Sequence, residues 1–177
     1  MLLPDPPLLG AATMTRVSDP IAEARRLWAD HGWHQAADGM AAVTSLMRAH
    51  QIVLARVEAV LKPYAITFAR YEVLMLLHFS RRGSLPMALI GERLQVHPTS
   101  VTNAVDRLEG AGLVRRVPHP GDRRSTVVEL LPAGRELAEA ATADLNEQVF
   151  AAPWISPPTV TTLIEAIAEI RHDAGDF

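Results

Sequence analysis

The 177-residue chain contains no cysteine. The absence of thiols excludes a disulfide framework, a thiolate metal site and a thiol-based redox switch. No apolar run approaches the roughly 20 residues that cross a bilayer. The apolar, proline-rich N-terminus also lacks the basic and continuous hydrophobic segments of a signal peptide. We therefore expect a cytoplasmic protein with no membrane partner.

Catalytic motifs are missing as well. The chain has no phosphate-binding glycine loop, no Gly-x-Ser-x-Gly elbow and no metalloprotease helix. Its seven histidines are scattered, and no pair lies four residues apart with a carboxylate on one helix. The sequence therefore predicts a protein that is not an enzyme, needs no cofactor and holds no metal.

The charges are distributed unevenly along the chain. Hydrophobic residues make up 49% and charged residues 21%, as in ordinary globular domains. The overall charge is −3, yet residues 66–125 hold 9 basic and 5 acidic side chains, whereas residues 126–177 hold 2 and 9. A local basic region can attract phosphate even in an anionic protein. Chance clustering of charge is an equally good explanation at this point.

Apolar spacing and helix-capping residues predict a mainly helical chain with one hairpin. The expected N-terminal capping residues of these helices are Asp19, Asp38, Thr67, Thr99 or Ser100, and Thr159. We predict helices near residues 21–28, 38–62, 67–77, 86–94, 99–109, 132–150 and 159–172, with strands at 113–117 and 126–130. These elements divide into an arm (1–18, within which Met14 is a second possible start), an N-terminal helical segment (19–65), a central domain (66–131) and a C-terminal helical segment (132–177).

The central domain reads as two short helices joined by a tight turn and followed by a hairpin, which is a winged helix-turn-helix. The predicted helix 99–109 places Val101, Val105 and Leu108 on one face, as docking requires. Its outward face carries groups that can approach base edges and phosphates, namely Thr99, Ser100, Thr102, Asn103, Asp106 and Arg107. Arg123 and Arg124 at the hairpin tip suit the minor groove. Hydroxyls at a helix start are also ordinary caps, and arginines in turns are often only solvated.

Residues 66–135 resemble the MarR (multiple antibiotic resistance regulator) family of bacterial transcription factors. The matching segments are Tyr71-Glu72-Val73-Leu74, Val101 to Arg116, Asp122-Arg123-Arg124-Ser125 and Val128 to Gly134. The resemblance implies a homodimer with a helical dimerisation layer built from the helices at 38–62, 132–150 and 159–172. It also implies a palindromic double-stranded DNA operator with half-sites ~10 bp apart.

The resemblance further implies roles for individual residues. The helix near 99–109 would read the major groove and the tip at 118–125 would enter the minor groove. Asp106 would pair with Arg124 and hold the wing, leaving Arg123 free for DNA. The full set of expected DNA-binding residues is His97, Pro98, Thr99, Ser100, Thr102, Asn103, Arg107, Arg115, Arg123 and Arg124.

We also expect the protein to bind a small-molecule effector, most simply an aromatic or anionic one. The candidate ligand-binding residues are Trp28, His50, Arg70 and Tyr71, although residues such as Trp28 and His50 are more often packing residues. The peroxide-sensing branch of the family needs a cysteine, and the urate-responsive branch departs from this chain at Glu72 and Ala104 but matches at Arg116. The overall hypothesis is a ligand-released repressor. The alternative is a winged-helix protein-interaction module that binds neither DNA nor ligand.

Overall fold

The computed structural model describes residues 18–119, 121–151 and 155–177, and of residues 122–124 it describes the backbone alone. The expected N-terminal arm therefore lies outside the described residues, except for its last one. The helices are α1 (Pro20–Asp30), α2 (His34–Leu61), α3 (Phe68–Phe79), α4 (Met87–Leu94), α5 (Pro98–Gly110), α6 (Pro132–Leu145) and α7 (Pro157–Asp173). The strands are β1 (Ser84–Pro86), β2 (Val114–His119) and β3 (Asp122–Leu130). The predicted fold class, mainly helical with a small antiparallel wing, is confirmed.

The chain forms two compact units, one ending at Ile52 and one running from Val53 to Phe177. In the first, Asp19 caps α1 by accepting from the Ile21 N–H at 3.0 Å, and Pro20 takes the first helical position. Asp38 was expected to cap the second helix, but α2 begins four residues earlier, at His34. The Asp38 carboxylate instead accepts from Arg25 Nε at 2.6 Å, which fastens α2 to α1.

The second unit holds the hydrophobic core, which α3, α4, α5 and the sheet enclose. One face of each helix supplies fully buried side chains, among them Leu74, Leu77, Ile90, Val105 and Leu108. Helix α6 closes the core with Ala138, Ala141 and Leu145. Burial of this kind stabilises by about 25 cal/mol per Å² of apolar surface removed from water.

The sheet has three antiparallel strands in the order β1-β3-β2, one more strand than the hairpin that the sequence predicts. Val114 pairs with Leu130 and Arg116 with Val128, while Ser84 of β1 pairs with Glu129. The hairpin strands also extend further toward the tip than predicted, to His119 and from Asp122. The sequence does not predict β1, because a strand of three residues with one buried side chain is too short to show an alternation of apolar and polar residues.

Helices α5, α6 and α7 also have boundaries that differ from the sequence prediction. α5 begins at Pro98 with His97 as its cap, so neither Thr99 nor Ser100 is the capping residue. The expected helix to Phe150 is α-helical only to Leu145, and a π-helical turn covers Asn146–Phe150. α7 begins at Pro157 rather than after Thr159, since proline suits a first helical turn.

Gly134 lets α6 press against the base of the wing. A Cβ atom at this position would lie 2.1 Å from the Leu113 carbonyl oxygen, far inside van der Waals contact. The same carbonyl accepts from the Leu131 N–H at 3.0 Å. Only glycine permits this approach, so the start of α6 and the residue before β2 are fixed together.

Two tyrosine hydroxyls tie α6 to the preceding elements. Tyr64 Oη donates to Asp144 Oδ2 at 2.6 Å, and this bond, with some burial, raises the pKa of Tyr64. Tyr71, buried in α3, shares a 3.0 Å hydrogen bond with the Thr142 hydroxyl. Both bonds hold the last turn of α6.

Helices α2 and α7 carry apolar side chains that this chain leaves exposed. α7 has no buried residue, although Leu163, Ile164 and Ile170 follow a helical spacing. On α2, Val43 and Met47 are 64% and 60% exposed. Among the described helices, none is both long and apolar enough to span a membrane.

Candidate nucleic-acid interface

Helix α5 separates its side chains cleanly into a buried and an exposed face. Val101, Val105 and Leu108 lie in the core. The other face is exposed and carries Thr99, Ser100, Thr102, Asn103, Asp106 and Arg107. This is the division that the sequence predicts, and it presents short polar groups over the first three turns of the helix.

Most of these polar groups are available for an external partner. Thr102 Oγ1 donates back to the Pro98 carbonyl at 3.0 Å, which occupies its hydrogen. Within the described part of the chain, the Ser100 hydroxyl, the Asn103 amide and the Arg107 guanidinium have no hydrogen-bond or ion-pair partner. Hydroxyl, amide and guanidinium groups are those that contact phosphates and base edges.

Arg116 on β2 anchors the wing to α5. Its Nη2 lies 2.6 Å from Asp106 Oδ1, and its Nη1 lies 2.6 Å from Glu109 Oε2. Its backbone N–H also donates to Glu109 Oε1 at 2.7 Å. Donation from the backbone N–H and the guanidinium of Arg116 lowers the pKa of Glu109. One strand residue thus holds two successive turns of the helix.

Sequence reasoning noticed Arg116 only as a family-branch match and missed this anchoring role. The acids at 106 and 109 lie one helical turn apart and therefore on one side of α5. The first strand after the helix returns past that side. A basic residue on this strand is the sequence feature that could have indicated the anchor. The register that brings it opposite Asp106 and Glu109, however, depends on the fold.

The expected ion pair between Asp106 and Arg124 remains a prediction. The Arg123 and Arg124 side chains lie outside the described residues, and Asp106 meets Arg116 in this structure. Arg115, another expected DNA contact, donates from Nε to Glu129 Oε2 at 2.6 Å, across the strand pair. Part of its charge is therefore already neutralised.

An open polar groove of about 680 Å³ lies between the start of α3 and the exposed face of α5. Thr67 and Arg70 line one side, and Ser100, Asn103 and Arg107 line the other. The structure thus brings Arg70, an expected ligand-binding residue, beside the DNA-reading candidates. A small anion in this groove would compete with phosphate for the same cations.

The other expected ligand-binding residues do not line this groove. Tyr71 is buried. Trp28 and His50 belong to the first unit, where the Trp28 ring stacks edge-on against Trp33 with centroids 5.1 Å apart. No group of three or more His, Asp or Glu side chains that could hold a metal is found among the residues that the structure places.

A helix-turn-helix whose exposed polar helix is fastened to an antiparallel wing defines the winged helix-turn-helix class, which is widespread among transcriptional regulators. A family model described as MarR family matches residues 66–126. Sco5413 of Streptomyces coelicolor, a MarR family transcriptional regulator, is 51% identical with a TM-score of 0.73, over 79% of this chain and 97% of that one. The chain therefore belongs to the MarR family, a family of transcriptional regulators rather than enzymes.

Two further relatives extend the comparison. The uncharacterized HTH-type transcriptional regulator YhbI of Bacillus subtilis (strain 168) is 37% identical over 84 residues, 48% of this chain and 53% of that protein. The chain thus matches about half the length of this curated relative. Sco3205 of Streptomyces coelicolor, solved in complex with DNA, is 23% identical with a TM-score of 0.68, over 77% of this chain and 88% of that one. At that identity the likeness shows the shared fold.

Proposed function

We propose that this protein is a homodimeric repressor that binds a palindromic DNA operator and leaves it when a small anionic or aromatic ligand binds. The main observation that supports this proposal is the exposed face of α5. That face offers unpartnered hydroxyl, amide and guanidinium groups, and Arg116 fixes it to the wing through Asp106 and Glu109. Groups held in one geometry lose little entropy on binding, which favours a defined DNA site.

The solved relative with bound DNA supports a nucleic-acid partner for the same fold. The charge distribution supports it as well, because residues 66–125 have a net charge of +4 while the rest of the chain is neutral or acidic. DNA affinity would come mainly from this basic segment, by release of counterions from the phosphates. Base reading would come from the α5 side chains.

The exposed apolar side chains support a homodimer. α2 and α7 present Val43, Met47, Leu163 and Ile164 to solvent in the single chain. Exposed large apolar side chains grouped on a helix face commonly mark a protein interface. A two-fold dimer would place two α5 helices about one turn of DNA apart, and it would therefore select a palindrome with half-sites ~10 bp apart.

The groove beside α5 supports an anionic ligand. Arg70 and Arg107 line it together with the Ser100 hydroxyl. A ligand changes DNA occupancy only if it binds the free and DNA-bound forms with different affinity. An anion in contact with Arg107 meets this condition directly, because DNA would need the same side chain.

A salt titration with the gene's own upstream region tests the DNA assignment. We expect the wild type to retard this DNA, and Arg123→Ala to weaken binding and lower the salt slope by about two per dimer, one phosphate contact for each wing. Arg48→Ala, an exposed arginine of α2, is the matched control and should leave the slope unchanged. No retardation at low salt would favour the protein-interaction alternative.

A thermal-shift screen of aromatic acids, urate and divalent metals tests the effector. A ligand that binds the native state raises the free energy of unfolding by RT ln(1 + [L]/Kd), and the melting temperature rises with it. We expect an aromatic acid to stabilise the protein with this logarithmic dependence on its concentration, and Arg70→Ala to abolish the stabilisation. Stabilisation by a divalent metal alone would contradict the anionic ligand.

A further inference from the structure

Two histidines, one before α5 and one at the end of β2, make the same local hydrogen bond within the proposed DNA surface. His97, just before α5, uses Nδ1 to accept from the Thr99 N–H at 3.2 Å. His119, the last residue of β2, uses Nδ1 to accept from the Gly121 N–H at 3.1 Å. In both cases the donor is the backbone two residues further along the chain. The helix cap and the hairpin tip therefore share one arrangement.

This bond fixes where each ring carries its proton. A neutral imidazole has one donor and one acceptor nitrogen, so a ring whose Nδ1 accepts must carry its hydrogen on Nε2. A protonated ring would place a second hydrogen on Nδ1, directly against the backbone N–H. In the neutral ring, this bond thus selects the Nε2–H tautomer, which has a single donor at the far end of the ring.

That donor is unoccupied at both positions. In the part of the chain that the structure describes, neither the His97 nor the His119 Nε2 has a hydrogen-bond partner. His97 stands at the N-terminus of a 13-residue helix, where the helix dipole attracts anions. His119 lies beside the hairpin tip. A phosphate group is an acceptor-only partner that suits such donors.

We infer that His97 and His119 bind two DNA phosphates as neutral hydrogen-bond donors, with the tautomer set by the backbone. This inference rests on the proposed function and adds His119 to the expected DNA contacts. Neutral donors displace no cation from the phosphate backbone, whereas each arginine or lysine contact does. The histidines would therefore contribute to affinity without contributing to the salt dependence.

Substitution by asparagine or by glutamine tests the two ring nitrogens separately, the Nδ1 acceptor and the Nε2 donor. His97→Asn keeps an oxygen near the Nδ1 position, so the helix cap survives, but it removes the distal donor. His97→Gln carries an amide nitrogen near the Nε2 position but provides no cap in the same place. His119→Asn and His119→Gln form the corresponding pair at the wing, and His34→Asn, an exposed histidine of the first unit, is the control.

Operator binding is measured as a function of salt at pH 8 for the wild type and these variants. A net hydrogen bond of about 1 kcal/mol corresponds to about fivefold in affinity, so a dimer losing two should bind ~25-fold more weakly. We expect this loss in His97→Asn and in His119→Asn, with unchanged salt slopes and melting temperatures, and none in His34→Asn. The glutamine variants should recover part of the affinity.

Three results would overturn the inference. Wild-type affinity in both asparagine variants would make the histidines caps alone, with DNA binding itself intact. A salt slope lowered by His97→Asn or His119→Asn would identify cationic contacts. Long-range ¹⁵N spectra of the free protein that place the proton on Nδ1 would exclude the tautomer. Failure of the wild type to bind any operator would instead remove the proposed function.

Discussion

Helices α3 and α7 carry apolar side chains at the same three- and four-residue spacing, yet their surroundings differ completely. On α3, Leu74 and Leu77 are fully buried against α5 and α6. On α7, Ile164 is 63% exposed and no residue is buried. An apolar period therefore shows that a helix has a face to bury, but it does not show whether the same chain or a second one covers it.

The difference matters for how each helix contributes to stability. Burial of the α3 face stabilises the single chain, whereas in the proposed dimer the α7 face would stabilise the assembly. In obligate dimers the two contributions merge, because folding then depends on protomer concentration. Substitutions on the two kinds of face should therefore change different measured quantities.

The largest effect is expected from the buried face. Leu74→Ala removes most of a fully buried side chain and should lower the free energy of unfolding by about 3 kcal/mol, through lost transfer energy and the remaining cavity. Urea unfolding at one fixed protein concentration measures it. A loss below about 0.5 kcal/mol, typical of surface positions, would contradict the burial of α3.

Substitutions on the exposed face of α7 should instead change the dimer dissociation constant. Ile164→Asp would place an unpaired carboxylate in the proposed dimer interface, which should raise the dimer dissociation constant about a hundredfold. Sedimentation velocity across a concentration series measures this constant. Thr162→Asp, an exposed polar position two residues earlier and therefore on the other side of the same helix, is the control. A wild type that is monomeric at every concentration would disprove the dimer.

Two glycines provide a finer comparison. Gly134→Ala forces a methyl group against the Leu113 carbonyl and should cost about 2 kcal/mol through displacement of α6. Gly39 lies within α2 with nothing within 4 Å of its added Cβ. Gly39→Ala should therefore stabilise by about 0.5–1 kcal/mol, as alanine does in a helix interior. Thermal unfolding should give shifts of opposite sign, and equal shifts would refute the close approach.

The anchor between wing and helix should affect DNA binding more than folding. Arg116→Gln removes two ion pairs and leaves β2 less firmly held to α5, so operator affinity should fall about tenfold, the effect of 1.4 kcal/mol. Arg116→Lys keeps the charge but cannot satisfy both carboxylates with a planar fork. It should lose nearly as much. Full affinity in the lysine variant would show that charge alone suffices.

The smallest effect concerns pH. Because Arg116 lowers the folded-state pKa of Glu109, this carboxylate stabilises the fold above the ordinary carboxyl pKa of about 4.3, and the stabilisation disappears as pH falls through the lowered value. Glu109→Gln should flatten the acid limb of the stability profile. Urea unfolding between pH 7 and pH 3 checks this, and superimposable limbs would show that Glu109 contributes nothing.

Much of this fold can be predicted from the sequence, because long amphipathic helices place apolar residues at a recognisable three- and four-residue spacing. The faces of α5 follow from the spacing of Val101, Val105 and Leu108. Contacts that depend on register do not follow, and Arg116 reaches Asp106 and Glu109 only because β2 returns beside α5. The groove joining Arg70 to Arg107 and the capping of α5 by His97 likewise require the packed structure.

The two tyrosines of this chain both form hydrogen bonds to α6, and this makes them natural optical probes. Any rearrangement that lifts the helix would free the Tyr64 hydroxyl from Asp144 and the Tyr71 hydroxyl from Thr142. The near-ultraviolet absorption and the alkaline titration of the phenols would then change together. Effector binding, if it moves α6, could be followed in the unlabelled protein from these two rings.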